Sequence, residues 1–251
     1  MAAVIDRIGA AVFDTDGVVT RTASVHMAAW KELFDAFLRE RAAGAESRPF
    51  SEDDYRHHVD GVPRFDGVDR FLASRGIALP RGEPSDPPGR ATVCGLGNSK
   101  NEAFLAVVER DGVEPFSTTV DLLESMVAAG IPRAVISASE NCGPVLAAAG
   151  VEHLFDVRVD GLDARDLGLP GKPDPAVFLE AASRLGVDPS TTAVFEDAIS
   201  GVRAGRAGGF GLVVGIDRTG NPGDLADAGA DVVVSDLAEL RIDADRRWHL
   251  A

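Results

Sequence analysis

Basic residues are scarce in this chain. Against 40 aspartates and glutamates stand only 25 lysines and arginines, for a formal charge of −15. Nucleic acids and anionic membranes require a basic face, so neither is an expected partner. A small anionic substrate stays open, because a local cluster of Lys, Arg and metal outweighs the overall field. Cysteine is also scarce: Cys94 and Cys142 are the whole complement. Two are too few for a disulfide framework, and reduced thiols in a cytoplasmic protein are expected. Neither has the Cys/His neighbours of a zinc site. No apolar run approaches the ~18 residues that span a bilayer. The first residues, Met-Ala-Ala-Val-Ile-Asp, lack a basic region followed by a long apolar stretch, so no secretory signal is expected. There is no internal repeat.

What is present is enough for a sizeable core. The 251 residues, 45% of them hydrophobic, suit one large domain or two smaller ones. The stretch Ala10-Ala-Val-Phe-Asp-Thr-Asp-Gly-Val-Val19 organises the rest. A short apolar run ending at a turn residue reads as a buried strand, here 9–14. Residues two apart in a strand point the same way, so Asp14 and Asp16 share one side. Taken singly, Asp-x-Asp-Gly is equally well a solvated turn.

Residues 22–38 carry apolar side chains at helical spacing, with Thr22 as a candidate cap. His26 and Trp30 fall on one face of that helix. Packing is the plainer role for Trp30; a substrate-side and a hinge role are both open for His26. From 40 to 113 the texture is polar and broken by prolines, with helical patterns at 51–59, 66–75 and 98–111. We therefore read 20–114 as a helical insertion, with 1–19 and 115–251 forming an α/β core. From Ser117 onward, helices (118–129, 142–149, 175–185, 199–207, 224–228) alternate with strands (132–137, 155–159, 191–195, 211–214, 231–234). That alternation predicts a Rossmann-like, doubly wound parallel sheet. The tail 246–251 is expected at the surface.

Polar clusters follow the predicted strands: Ser137 with Ser139 and Asn141, Gly171-Lys172-Pro173, and Glu196-Asp197. Ligands of open α/β sheets bind outside the carboxyl ends of the strands, so these groups are expected to converge with Asp14 and Asp16. Singly, Lys172 is an ordinary surface lysine and Glu196-Asp197 an acidic helix start. Jointly they have a chemical logic. Four carboxylates repel one another unless a cation offsets them. All-oxygen ligands suit a hard cation, and Mg²⁺ is the usual choice where phosphate shares the shell. A serine hydroxyl and a lysine ammonium hold phosphate oxygens, and phosphoryl transfer needs positioning and charge neutralisation above all.

These four clusters, in this order, resemble the motifs of the haloacid dehalogenase superfamily of phosphotransferases. The resemblance spans nearly the whole chain. It implies that Asp14 is a nucleophile forming an aspartyl-phosphate and that Asp16 is the general acid/base. It implies that Ser137 and Lys172 bind the transferring phosphoryl group. The metal would be held by Asp14, the Asp16 carbonyl, Glu196 and Asp197. The insertion resembles the superfamily's α-helical cap. The chain is most similar to the β-phosphoglucomutase-like branch, on Thr22-Ala-x-x-His26-x-x-Ala-Trp30-Lys, Val62-Pro-Arg64, Ser99-Lys100-Asn101, Ser137-Ala-Ser139-x-Asn141 and Lys172-Pro-Asp-Pro. That branch implies a phosphosugar substrate, interconversion of β-glucose 1-phosphate and glucose 6-phosphate, and a monomer. It would place His26, Trp30, Arg64, Lys100, Ser139 and Asn141 at the substrate. A sugar-phosphate phosphatase uses the same core motifs, and only Arg64 and Lys100 favour the mutase. A non-catalytic phosphosugar-binding protein is the rival of another class, against which the intact Asp14 and Asp16 speak. Two stretches depart from the branch: Glu114-Pro-Phe-Ser-Thr-Thr119 lacks its usual Pro-Gly, and the loop 80–97 is longer and proline-rich.

Overall fold

A computed structural model describes residues 4–5, 8–41, 48–243 and 247–250. The chain folds as two compact units, Met1–Arg21 with Val113–Ala251, and Thr22–Gly112. From the N-terminus, β1 (Val4–Ile5) and β2 (Ala10–Asp14) lead into α1 (Ala23–Arg41), α2 (Glu52–Asp54), α3 (Arg64–Ser74) and α4 (Val93–Asp111). Then come α5 (Ser117–Ala129), β3 (Arg133–Ile136), α6 (Cys142–Ala148), β4 (Val157–Val159), α7 (Gly161–Leu167) and α8 (Ala176–Leu185). The chain closes with β5 (Thr192–Glu196), α9 (Ile199–Ala207), β6 (Leu212–Ile216), α10 (Pro222–Ala228), β7 (Val232–Val234), β8 (Leu240–Ile242) and β9 (Trp248–Leu250).

The first unit is built on a six-stranded sheet of order β4-β3-β2-β5-β6-β7, every neighbouring pair parallel. The fold class is α/β, a Rossmann-like doubly wound sheet. Both faces of such a sheet are covered, which is why its strands read as continuous apolar runs. In β2, Ala11 and Phe13 enter one core cluster and Val12 the other. β5 does the same with Ala193 and Phe195 against Val194, and Phe13 stacks on Phe195 at 4.4 Å between ring centres. The strand order reverses at β2, whose neighbours β3 and β5 lead away in opposite directions. Crevices for ligands open at such switch points, beyond the carboxyl ends of the strands.

The second unit is helical. Its core joins Trp30, Phe34 and Leu38 of α1 to Phe50, Val59, Phe71 and Leu72. Phe34 sits 4.0 Å from Phe71 and 5.2 Å from Trp30, ring centre to ring centre. Asp54 ties this unit together from below. It accepts from Ser51 Oγ (2.8 Å) and the Ser51 N–H (3.0 Å), and pairs with Arg75 (2.7 Å) and Arg48 (3.0 Å). Burial pushes its carboxyl up; the Ser51 hydrogen bonds and the two arginines outweigh burial and hold it below the ordinary value. A depressed carboxyl stabilises the fold above its unfolded pKa, and that share is lost as pH falls through the folded value. Asp54→Asn is therefore expected to lower the melting temperature at neutral pH. The gap to wild type should narrow as pH falls below the ~3.9 of an unfolded aspartate and close only below the lower folded value. A gap independent of pH would remove the charge of Asp54 from the account.

The structure corrects the expectation for the tail. Within 247–250, Trp248 is fully buried, not at the surface. Its indole packs 5.7 Å from the Phe195 ring and its Nε1–H donates to the Ile8 carbonyl at 3.2 Å. Arg246 and Ala251 of that tail lie outside the described residues. β9 pairs antiparallel with β1 and β8 in a small second sheet, each strand too short to show periodicity. Helix α4 begins at Val93, not near 98, because Thr92 caps it through the Gly95 N–H at 2.9 Å. α7 went unanticipated, although Asp160 and Asp163 form a reciprocal capping box at its start. Among the described residues, no helix is long and apolar enough to cross a membrane.

Candidate active site

Every core residue of the expected site lies in the first unit, and all but Lys172 stand at or just past the carboxyl end of a strand. Asp14 ends β2, Ser137 follows β3, and Glu196 ends β5 with Asp197 next. Lys172 lies in the loop between α7 and α8, behind a cis peptide to Pro173. It is 2% exposed, Asp14 5% and Glu196 0%. Its ammonium donates to Asp14 Oδ1 at 2.5 Å and to Glu196 Oε1. The second Glu196 oxygen accepts the Ala198 N–H at 2.9 Å, and the second Asp14 oxygen accepts the Asp16 N–H at 3.0 Å. Each buried carboxylate is thus held at both oxygens.

The turn after β2 is tied to its neighbours. Thr15 Oγ1 donates to the Ile136 carbonyl at 2.8 Å, which anchors the turn to β3. Ser137 Oγ donates to Asp16 Oδ2 at 3.4 Å. The same hydroxyl accepts the Ser139 N–H at 3.0 Å, and Ser139 Oγ accepts the Asn141 N–H at 3.1 Å. Gly17 sits at φ 83°, and a Cβ there would fall 1.7 Å from Asp197 Oδ2. Only glycine fits this position, since both the backbone angle and the carboxylate exclude a side chain. Cys142 lies beneath, its sulfur 3.3 Å from Thr15 Oγ1, and burial pushes its thiol far up, so it packs and does not react.

Burial also dominates the titration of Asp14, pushing it well above the usual carboxylate range; Lys172 opposes this while Glu196 and Asp16 reinforce it. For Lys172, burial favours the neutral amine, but Asp14 and Glu196 outweigh it and hold the ammonium firmly protonated. One ammonium thus serves several acids. Asp14, Glu196 and Asp197 each place a carboxylate oxygen within 4.8 Å of the others. This donor set is all oxygen, anionic and incompletely neutralised, which fits a hard divalent cation. Such a cation would return Asp14 to its carboxylate form.

The residues expected on the substrate side fall in two places. Ser139 and Asn141 belong to the first unit, in the hydrogen-bonded loop described above. His26, Trp30, Arg64 and Lys100 belong to the second. There, Lys100 is 5% exposed, hydrogen-bonds His26 Nδ1, and lies 5.1 Å from the Trp30 ring and 4.9 Å from that of Phe104. His26 stacks on Phe104 at 4.0 Å. Arg64 lies over Phe65 at 4.8 Å. Arg218 was missed in the sequence. Its Nε–H donates to the Gly17 carbonyl at 2.8 Å. A polar stretch just past strand β6 was the available signal.

A buried aspartate beside an ammonium, with a carboxylate cluster at the switch point of a parallel sheet, fits a site for an anionic substrate and a hard cation. A family model described as haloacid dehalogenase-like hydrolase matches residues 8–209. A β-phosphoglucomutase of Mycobacterium tuberculosis is 49% identical over 94% of this chain and 92% of its own. Fructose-1-phosphate phosphatase of Escherichia coli is 29% identical over 83% of this chain and 96% of its own. Among solved structures, a β-phosphoglucomutase of Clostridium difficile superposes with TM-score 0.73 at 24% identity, covering 93% of each chain, which speaks to the fold alone. The chain belongs to the haloacid dehalogenase superfamily, in its β-phosphoglucomutase-like branch, and is an enzyme of that type.

Proposed function

We propose that this enzyme is a Mg²⁺-dependent phosphosugar mutase interconverting β-D-glucose 1-phosphate and glucose 6-phosphate. The observation that carries the reading is Asp14, buried and hydrogen-bonded to Lys172 at 2.5 Å inside the carboxylate cluster. The 49% identity to a protein named β-phosphoglucomutase supports the sugar.

In this reading the Asp14 carboxylate attacks a phosphoryl group of glucose 1,6-bisphosphate. A P–O ester bond breaks, and Asp16 delivers a proton to the departing sugar oxygen. In the next half-reaction Asp16 takes the proton of the attacking sugar hydroxyl, and the phosphoryl group leaves Asp14 for that oxygen. Lys172 and Ser137 hold the phosphoryl oxygens, and the ammonium offsets the meeting of carboxylate and phosphate. Asp14, the Asp16 carbonyl, Glu196 and Asp197 would hold Mg²⁺, which supplies charge neutralisation for the transferring group. His26, Trp30, Ser139 and Asn141 are assigned to the sugar. Arg64 is assigned to the second phosphate, which a guanidinium grips bidentately, and Lys100 to the substrate.

The second reading is a sugar-phosphate phosphatase, in which water replaces the sugar hydroxyl as acceptor. The 29% identity to fructose-1-phosphate phosphatase favours it. One incubation separates the two: β-glucose 1-phosphate, Mg²⁺ and a trace of the bisphosphate, with glucose 6-phosphate and free phosphate followed together. Glucose 6-phosphate forming far faster than free phosphate is expected; the reverse ends the mutase reading. Arg64→Ala should cut mutase flux more than hydrolysis of the aspartyl-phosphate. Equal losses would deny Arg64 the second phosphate.

A further inference from the structure

We propose that Arg218 is a positioning residue of this site, clamping the Gly17 carbonyl and so setting the gap between the loop of Asp14 and Asp16 and the loop of Asp197. The inference rests on reading the carboxylate cluster as a divalent-cation site.

Ligands for such a cation come from two segments, the end of β2 with the turn after it and the end of β5 with the residue after it. They meet where the Gly17 backbone lies directly against the Asp197 carboxylate. Gly17 is intrinsically the freest residue of its turn. The turn ties the Gly17 N–H to the Thr20 carbonyl at 2.8 Å, which leaves the Gly17 carbonyl as the side that a group from outside the turn can hold. Arg218, from a third loop after β6, does so through its Nε–H at 2.8 Å. Its Nη1 reaches the Ser235 carbonyl at 3.4 Å and lies 4.0 Å from Asp236. The guanidinium carbon lies over Phe116, 3.8 Å from the ring centre. Phe116 is itself fixed, its N–H donating to the Val19 carbonyl at 2.9 Å. A planar fork seated on a ring has little freedom, which suits a clamp and distinguishes arginine from lysine here.

The charge has a second effect. Burial disfavours the Arg218 cation and outweighs the support of the Asp197 and Asp236 carboxylates, with the Arg21 charge acting in the same direction as burial. Two opposed consequences for cation binding follow. As a clamp, Arg218 raises affinity by holding the ligands in register. As a bare positive charge beside Asp197, it would lower affinity by repulsion. The proposal commits to the clamp.

The test compares Arg218→Met and Arg218→Lys with wild type in the full chain. Calorimetric titration with MgCl₂ gives the dissociation constant, steady-state assays give kcat and KM, and thermal melts give stability. Loss of an outer partner of a metal site typically costs 10–100-fold in affinity or activity. Both variants are therefore expected to bind Mg²⁺ roughly 10–100-fold more weakly and to lose kcat by about as much. KM for the sugar phosphate should stay within roughly threefold, as for a group that does not contact it. Lysine restores the charge without the fork, so it should not rescue.

Full rescue by Arg218→Lys would overturn the clamp in favour of charge alone. So would unchanged or tighter Mg²⁺ binding by Arg218→Met, and so would a drop in melting temperature with no change in Mg²⁺ affinity. If the methionine variant fails to fold, the lysine variant decides by the same criterion. A wild type that takes up no Mg²⁺ also ends the proposal. A wild type that binds Mg²⁺ but makes no glucose 6-phosphate ends the mutase reading alone and leaves the Arg218 test in force.

Discussion

Asp14→Asn is expected to abolish phosphoryl transfer while leaving the fold intact. The amide keeps the shape of the carboxylate, and its oxygen still accepts from Lys172. It carries no charge with which to attack phosphorus, so no aspartyl-phosphate forms. Loss of a covalent nucleophile costs on the order of 10⁴-fold or more in turnover. Stability should change little: burial already pushes Asp14 toward its neutral form, so the neutral amide removes little charge, and its NH₂ gives up only the hydrogen bond from the Asp16 N–H. Intact-mass measurement after mixing with the bisphosphate is the direct check. Wild type should gain one phosphoryl group and the variant none. Turnover within tenfold of wild type would take the nucleophile's role from Asp14.

Lys172→Met has the other large effect, and it falls on stability as well as activity. Lys172 is buried with carboxylates on two sides, Asp14 from β2 and Glu196 from β5. Removing one member of a buried ion pair strands the other, at about 3–5 kcal/mol. Here two acids are stranded. Activity should fall by roughly 10²–10³-fold, the scale of losing one charge-stabilising donor. A double variant, Lys172→Met with Glu196→Gln, separates the two losses. Relieving one stranded charge should restore much of the melting temperature and none of the turnover. If the single variant melts like wild type, the pair contributes nothing to stability and Lys172 acts on substrate alone.

Much of the core was legible in the residues. The alternation of apolar strands and capped helices has a local cause: a strand buried on both faces must be apolar throughout, and a helix must end where glycine permits the left-handed turn. α5 ends that way at Gly130, with φ 62°. Asp14, Ser137 and Glu196 were legible for the same reason. A polar residue that ends an apolar strand stands at the carboxyl edge of a parallel sheet, and that edge is where such sheets bind ligands.

What was not legible depends on distance along the chain. Lys172 was expected to converge with Asp14 and Glu196, but it is 158 residues from Asp14, and no local pattern says that its ammonium is buried between them. Arg218 is 201 residues from the Gly17 carbonyl it holds. Trp248 looked like a tail residue because β9 is only three residues long. Its burial comes from Phe195, Ile8 and the pairing with β1, all remote in sequence. Local chemistry thus set the strands, the helix ends and which polar residues stand at the strand ends. Which acids share an ammonium, which backbone carbonyl takes a guanidinium and which indole leaves water follow from packing. Those outcomes are energies of contact between segments, and they exist only once the sheet has brought the segments together.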